Sequence, residues 1–452
     1  MRVFGLTAAA VASSLLAFAL ACSPDSQGNS GAGRDAAPTR SVSFSREIAP
    51  LLGAHCSGCH QRGGAGPFPF EKHADLAKRA SQIVDVIEAG FMPPWLPRVR
   101  ESHFRGSRDL SAVARAKLLA WARAGAPRAE GDDDKIPLPA RVEWPLGPPD
   151  LILESQGTFE VPAEGDAILH TLVFPLGLDV ESFVSAIDFS PSKAAALHGA
   201  AFLFDDTGLA ARFDASSPQA GYRSPGGLGL MVPGSAGGWT PGMVPFRLPK
   251  GSGWRVGPQT ALSVQLHLNP QGKKQFLSAR VGIYFTKGAA PQALTTVVMG
   301  SLAIDIPPDD SDYRIDASLT LPVDVELVAL FPLAHFVCQH IRVSWTLPGG
   351  EPVEGLRIED YDLNWVQPYQ FVTPPILPAG TRIRFEIAYD NSAANPQNPH
   401  HPPQRVHLGH AADEETGFLL LQMRPRAAED MASLKALHRK GFEDRGREAR
   451  KR

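Results

Sequence analysis

Cys56-Ser57-Gly58-Cys59-His60 places two thiols three residues apart, with an imidazole directly after the second. That spacing is the one needed to attach haem covalently. The thiols add across the two haem vinyl groups, and His60 then sits close enough to ligate the iron as its proximal base. The alternatives are a zinc knuckle or a structural cysteine pair. A zinc site wants a second Cys/His pair at ligand spacing, and no further cysteine follows until Cys338. Downstream stands Phe91-Met92-Pro93-Pro94-Trp95. A thioether is a soft sixth ligand that raises the potential of a haem, and the prolines stiffen a loop that would hold Met92 over the distal face. His73 and His103 are the substitutes for Met92 as sixth ligand.

These residues need helices to position them. Ser45 is the expected cap of a first helix running through Leu52 into the Cys-x-x-Cys-His motif. Leu76, Ala80, Ile83, Val84 and Ile87 recur at helical spacing, which predicts one amphipathic helix over Lys72 to Ala89, ended by Gly90. Ser111 to Ala124 predicts another, with Val113, Leu118, Leu119 and Trp121 inward and Gly125 as its stop. Three helices around one haem c give a small all-α cytochrome c domain over 43–128.

The chain has 452 residues, too many for one core, so several domains are expected. Its net charge of −3 gives no electrostatic case for binding nucleic acid. Arg2 precedes an apolar run from Val3 to Ala21 that is followed by Cys22. A run this short with small residues at its end is a secretion signal. It resembles a bacterial lipoprotein signal with Cys22 as the lipidated residue; simple cleavage after Ala21 is the competing reading. Either places the protein in the periplasm or cell envelope, and lipidation would add a membrane anchor. The signal is thus expected over 1–22 and a flexible Ser/Gly/Asp/Ala-rich tether over 23–42.

After a charged linker over 129–143 the pattern changes. Leu169–Phe174, Phe183–Phe189, Ala261–Leu268, Arg280–Phe285, Ile341–Leu347 and Arg382–Tyr389 are short, rich in branched and aromatic residues, and separated by Gly/Pro/Asn/Asp turns. They predict one or two β-sandwiches, with no helix before a charged, solvated tail over 425–452.

The β region carries Trp144-Pro-Leu-Gly-Pro-Pro-Asp150, Gly238-Trp239-Thr240-Pro241-Gly242, Gln265-Leu266-His267, Tyr361-Asp-Leu-Asn364-Trp365 and Tyr389-Asp390-Asn391-Ser392-Ala-Ala-Asn395-Pro396. On these it resembles the type II copper, ascorbate-dependent monooxygenases of the peptidylglycine hydroxylase kind, in bacterial forms that carry an N-terminal cytochrome c with a Met-Pro-Pro-Trp loop. The resemblance implies two tandem jelly-roll-like β-sandwiches, over 144–290 and 291–424, with a copper on each facing side of a cleft. In that family three histidines hold the first copper, two of them from a His-His pair and one from Gln-x-His. A His-x-His pair and the methionine of Asp-Glu-Met hold the second. Imidazoles suit Cu(II) and a thioether suits Cu(I).

Here His198-Gly199 stands at the His-His pair, His267 is kept, Leu333-Ala334-His335 stands at His-x-His, and Asp413-Glu414-Glu415 puts a carboxylate where the methionine belongs. His198, His267 and His335 therefore remain as candidate residual copper ligands, with Glu415 as a possible assistant to His335. A Cys338/His335/His340 cluster, and His407 with His410 and Glu414, are further metal candidates. His170, His400 and His401 are expected in core or solvent roles. Two functions follow as expectations. One is a haem electron-transfer protein, served by a redox partner protein or a small-molecule donor, on a sandwich pair with incomplete copper ligands. The other is a working copper-dependent monooxygenase or oxidoreductase acting on a C–H bond, with the haem as electron donor.

Overall fold

The structure, a computed structural model, describes residues 42–450 apart from 63, 99–102, 139–141, 166–167, 224–234, 269, 289–290, 410 and 412. The secretion signal, Cys22 and His410 lie outside the described residues. The chain is mainly β, with a helical segment at the start of the described part.

That segment has its own core of Phe44, Ile48, Leu52, Leu76, Ile83, Ile87, Leu118 and Trp121. A π-helical turn, Phe44–Ile48, runs into the α-helix Ala49–His55. The cap is Ser43, not Ser45, which instead donates to Asp132 (2.6 Å). Lys72 to Ala89 is two helices, His73–Ala77 and Ala80–Glu88. The break falls at Lys78 and Arg79, where the Arg79 guanidinium turns back onto the Asp75 carbonyl (3.2 Å) and over the Phe68 ring (4.1 Å). In the last helix, Ala112–Arg123, Val113 is 74% exposed, because the inward stripe runs through Ala114, Leu118, Trp121 and Ala122. Gly90 and Gly125, with φ of +71° and +82°, follow the two longer helices. Residues 132–136, in the stretch expected as linker, pack back on these helices: Asp132 accepts the Phe44 N–H (3.0 Å) and Ile136 joins the core.

The β region forms two pairs of sheets around two cores. In the first pair one sheet runs, in spatial order, Leu151–Glu154, Ala279–Phe285, Ser182–Pro191, Ser252–Val256 and Gln292–Ala293. Its partner runs Tyr222–Arg223, Ile168–Pro175, Ala261–Leu268, Leu197–Asp205 and Ser235–Trp239. Leu262, Val264, Leu266, Val281 and Ile283 fill the space between them. In the second pair Thr295–Gly300, Phe418–Pro425, Val325–Leu333 and Tyr369–Gln370 form one sheet. Tyr313–Thr320, Arg382–Tyr389, Cys338–Thr346 and Pro352–Ile358 form the other. The Tyr313–Thr320 strand alternates between half-buried and exposed positions, as a strand with one solvated face does.

The two cores are locked together. Val328, on a strand of the second pair, packs in the first core. Arg424 donates to Ser252 (2.7 Å), Thr296 to the Ser235 carbonyl (2.8 Å), and a Cβ on Gly238 would lie 3.3 Å from Phe331. One expectation, of no helix before the tail, fails here. A helix, Leu209–Ala215, interrupts the first β region, anchored through the buried Asp205 carboxylate on the Ala210 N–H (2.9 Å). The tail is a helix whose charged residues lie mostly in solvent while its other face docks. Over Met431–Ala449, Leu434 enters the second core, while His438 and Arg445 bond the N–H and carbonyl of Val298 on the edge strand Thr295–Gly300 (3.3 and 3.0 Å). Covering an edge strand in this way satisfies backbone groups that would otherwise be open to pairing.

Candidate functional site

The Ala49–His55 helix ends on Cys56, whose N–H reaches the Leu52 carbonyl (2.9 Å). The next turn is closed by Cys59 N–H and His60 N–H on the Cys56 carbonyl (3.2 and 3.0 Å), with Cys59 an electrostatic neighbour of Cys56. His60 is buried, 8% exposed, and its ring stacks on Phe70 at 4.4 Å. Because a carbonyl only accepts, His60 Nδ1 donates to Phe68 O (3.0 Å). This fixes the tautomer with the lone pair on Nε2, the arrangement found behind metal-bound histidines. Gly66 makes room for it: a Cβ there would stand 2.7 Å from His60 Nδ1. Burial lowers the His60 pKa and so favours the neutral, ligating form. Burial also pushes the Cys56 thiol up to about 12, with the neighbouring Cys59 adding to it, and raises Cys59. The donor set thus fits a haem held by two thioethers and one neutral imidazole. Among the described residues no group of three or more His, Cys, Asp or Glu is placed around the two thiols to hold a metal ion.

Met92 follows the Ala80–Glu88 helix, half-buried, with its N–H on the Val86 carbonyl (3.0 Å). The residues after it are drawn away from the helices. Trp95 packs edge-on against Tyr369 at 5.6 Å, and Leu96 lies against the second β core. Of the two substitutes, His73 is committed: Nε2 donates to the Ala126 carbonyl (2.7 Å) and the ring meets Phe44 and Trp121 edge-on. His103 lies with the second β region, its ring edge-on to Phe104 and Phe371 at 5.0 Å.

The attachment turn faces the junction of the two β cores. Cys59 Sγ lies 4.0 Å from the Pro241 carbonyl, and a Cβ on Gly242 would be 2.3 Å from that sulfur. Arg108, which sequence reasoning missed because a lone arginine in Phe-Arg-Gly-Ser-Arg carries no pattern, donates to the same carbonyl (3.3 Å) and to Gln367 Oε1 (3.0 Å). The Thr240 hydroxyl then reaches the His198 carbonyl (3.4 Å).

His198, His267 and His335 come from both β regions to this junction. His198 is the bulged residue where pairing slips between Leu197–Leu268 and Gly199–His267. Burial, then the nearby His335 and His198 rings, push His267 down to about 4, so it is neutral at pH 7. His335 Nδ1 donates to the Glu414 carbonyl (3.0 Å). Glu415 does not assist the His335 ring. Its fully buried carboxylate accepts the His335 backbone N–H and the Thr416 N–H (2.8 Å) and turns toward the amides of Val337 and Cys338. Burial outweighs those amides and raises Glu415 to about 8. Tyr361 clamps the same loop, its hydroxyl accepting from Ala334 N (3.1 Å) and donating to Ala334 O (2.9 Å).

The other metal candidates are spoken for. Cys338 is fully buried on its strand, while His340 is exposed and pairs with Glu359 (3.9 Å). His407 pairs with Asp305 (3.3 Å). His170 stacks on Phe159 at 4.2 Å and bonds the Ala220 carbonyl (2.7 Å). His400 is half-buried in a loop, its N–H on Asn398 Oδ1 (3.0 Å), and His401 is exposed. Among the described residues no group of three His, Cys, Asp or Glu is placed to hold a metal ion, His198, His267 and His335 included.

No protein-family model matches the chain, and no curated protein matches it. Among solved structures it is similar to PNGF-II, at 12% identity and a TM-score of 0.23 over 60% of each chain. It is similar also to the major capsid protein P2 of bacteriophage PM2, at 9% identity and a TM-score of 0.20 over 54% of this chain and 99% of that one. The infectious bursal disease virus VP2 particle gives 8% identity and a TM-score of 0.17 over 62% of this chain and 78% of that one. The chain thus spans about three fifths of PNGF-II, and likenesses this weak carry no argument.

Proposed function

We propose that the chain is an exported monohaem c-type cytochrome fused to a copper-monooxygenase-like pair of jelly-roll sandwiches with incomplete copper ligands, and that it works in electron transfer. The observation that carries the reading is His60: buried, neutral, Nδ1–H on the Phe68 carbonyl, and next to two thiols on one turn. Bound haem would supply a one-electron iron couple, tuned by its axial ligands and burial. The chain's residues do the rest. Cys56 and Cys59 tether the group, Phe68 O and Phe70 orient the His60 ring, and the Pro241–Gly242 turn covers the Cys59 edge. Met92 is the proposed sixth ligand. The helices around the Phe44–Trp121 core are then the cytochrome domain, and Cys22 is its lipid anchor to the envelope membrane.

The second reading, an active copper monooxygenase acting on a C–H bond, draws on the nearness of His198, His267 and His335. The residues do not fit the family's second copper, because Leu333 replaces an imidazole and the fully buried Glu415 sets its Oε1 on the His335 and Thr416 amides. No step through copper is derived. Metal analysis of the mature protein, produced with haem and copper both supplied, tests the reading. One iron and no retained copper is the expected result; one or two tightly held coppers would overturn the electron-transfer assignment.

A further inference from the structure

Arg108 is a half-buried cation with no carboxylate partner among the described residues. Its Nη1 and Nη2 donate to the neutral acceptors Pro241 O (3.3 Å) and Gln367 Oε1 (3.0 Å), and the guanidinium lies 5.9 Å from the Trp365 ring centroid. Its Nε is buried without a hydrogen-bond partner. A guanidinium enclosed by neutral groups alone is unfavourable unless another charge is close. Cys59 Sγ and Arg108 Nη1 converge on one carbonyl oxygen, Pro241 O, at 4.0 and 3.3 Å. Gly242 permits the meeting, since a Cβ there would lie 2.3 Å from the sulfur and 3.5 Å from Nη1.

We propose that Arg108 is a positioning residue for a haem held on Cys56, Cys59 and His60. It registers the Cys59 edge on the Pro241–Gly242 turn and, as a fixed cation, raises the reduction potential. This rests on the haem reading above. One-electron reduction of ferric iron removes one positive charge from the site, so a fixed cation beside the Cys59 edge favours the reduced state. Arginine keeps its charge across the working pH range. Arg79, over the Phe68 ring at 4.1 Å, is the cation on the His60 side of the motif, whereas Arg108 is the one that meets the Cys59 edge at Pro241.

The test is a spectroelectrochemical titration of the full-length, haem-loaded wild type and of Arg108→Gln, Arg108→Lys and Gln367→Glu. Gln367→Glu leaves Arg108 in place but sets a carboxylate on its Nη2, so it probes charge even where Arg108→Gln fails to fold. Arg108→Gln and Gln367→Glu are expected to shift the ferric/ferrous equilibrium at least tenfold toward ferric, a fall of 59 mV for one electron. Arg108→Lys is expected to stay within threefold of wild type. Unchanged potentials in the first two variants overturn the proposal. So does an Arg108→Lys potential as low as that of Arg108→Gln, which would mean packing alone. A wild type without covalent haem overturns the underlying reading and this one with it, and shows itself before any potential is read.

Discussion

At the scale of single residues, the site depends on small groups that leave room for larger ones. Gly66 borders the His60 ring at a distance no real Cβ tolerates. Gly66→Ala should push His60 off the Phe68 carbonyl, lower thermal stability by about 1–3 kcal/mol, and change the visible spectrum of the haem-loaded protein. A spectrum and melting curve equal to wild type would contradict the role given to that hydrogen bond. Met92→Ala should abolish the weak thioether-to-ferric-iron absorption band; a band that persists would point to another sixth ligand. The Cys-x-x-Cys-His signal was legible because every position in it has a stereochemical task. Arg108 was not, because what marks it is the company it keeps across more than a hundred residues of sequence, Pro241 and Gln367.

At the scale of elements, the loop after Val325–Leu333 shows what the sequence could not. Glu415 stands where the resembled family has a methionine, and the residue type alone suggests a hard ligand. In the fold the carboxylate is instead a plug for backbone amides, with Tyr361 and Tyr389 as struts: Tyr389 donates to the Thr416 carbonyl (2.9 Å). The motifs around the junction therefore have a structural task of their own. Glu415→Met should leave the His335 and Thr416 amides unpaired and lose about 2–4 kcal/mol in denaturant unfolding without gaining tightly bound copper. A stable, copper-binding variant would reverse that account. Helix periodicity located the Ala80–Glu88 and Ala112–Arg123 helices, but it put Val113 inward because one residue at a helix start looks the same on either face. The helix Leu209–Ala215 was too short to leave a period, and the tail's docking was hidden because only Leu434, Leu437 and a few polar contacts carry it.

At the scale of the whole molecule, the described part of the chain from Val42 onward is one compact unit, so the attachment turn is fixed against the β cores rather than hung from a linker. Its stability should carry a pH signature from the first β core. Asp188, 5% exposed with Oδ2 unpartnered, is raised by burial to about 6 from an ordinary 3.8. A carboxyl raised in the folded state is neutral there when the unfolded chain already ionises. Its contribution to stability therefore falls as pH rises from about 4 to about 6 and is level beyond that. Asp188→Asn should match wild type near pH 4 and exceed it by about 1–3 kcal/mol at pH 7. A difference that does not change with pH would contradict the burial of that carboxylate.

The central claim is that Cys56 and Cys59 carry haem. It is met most directly by the intact mass of the mature, denatured protein made alongside a cytochrome c maturation system. One haem should stay on the chain through denaturation and be lost when Cys56 and Cys59 are both changed to Ser. A wild-type chain with the bare polypeptide mass would contradict it.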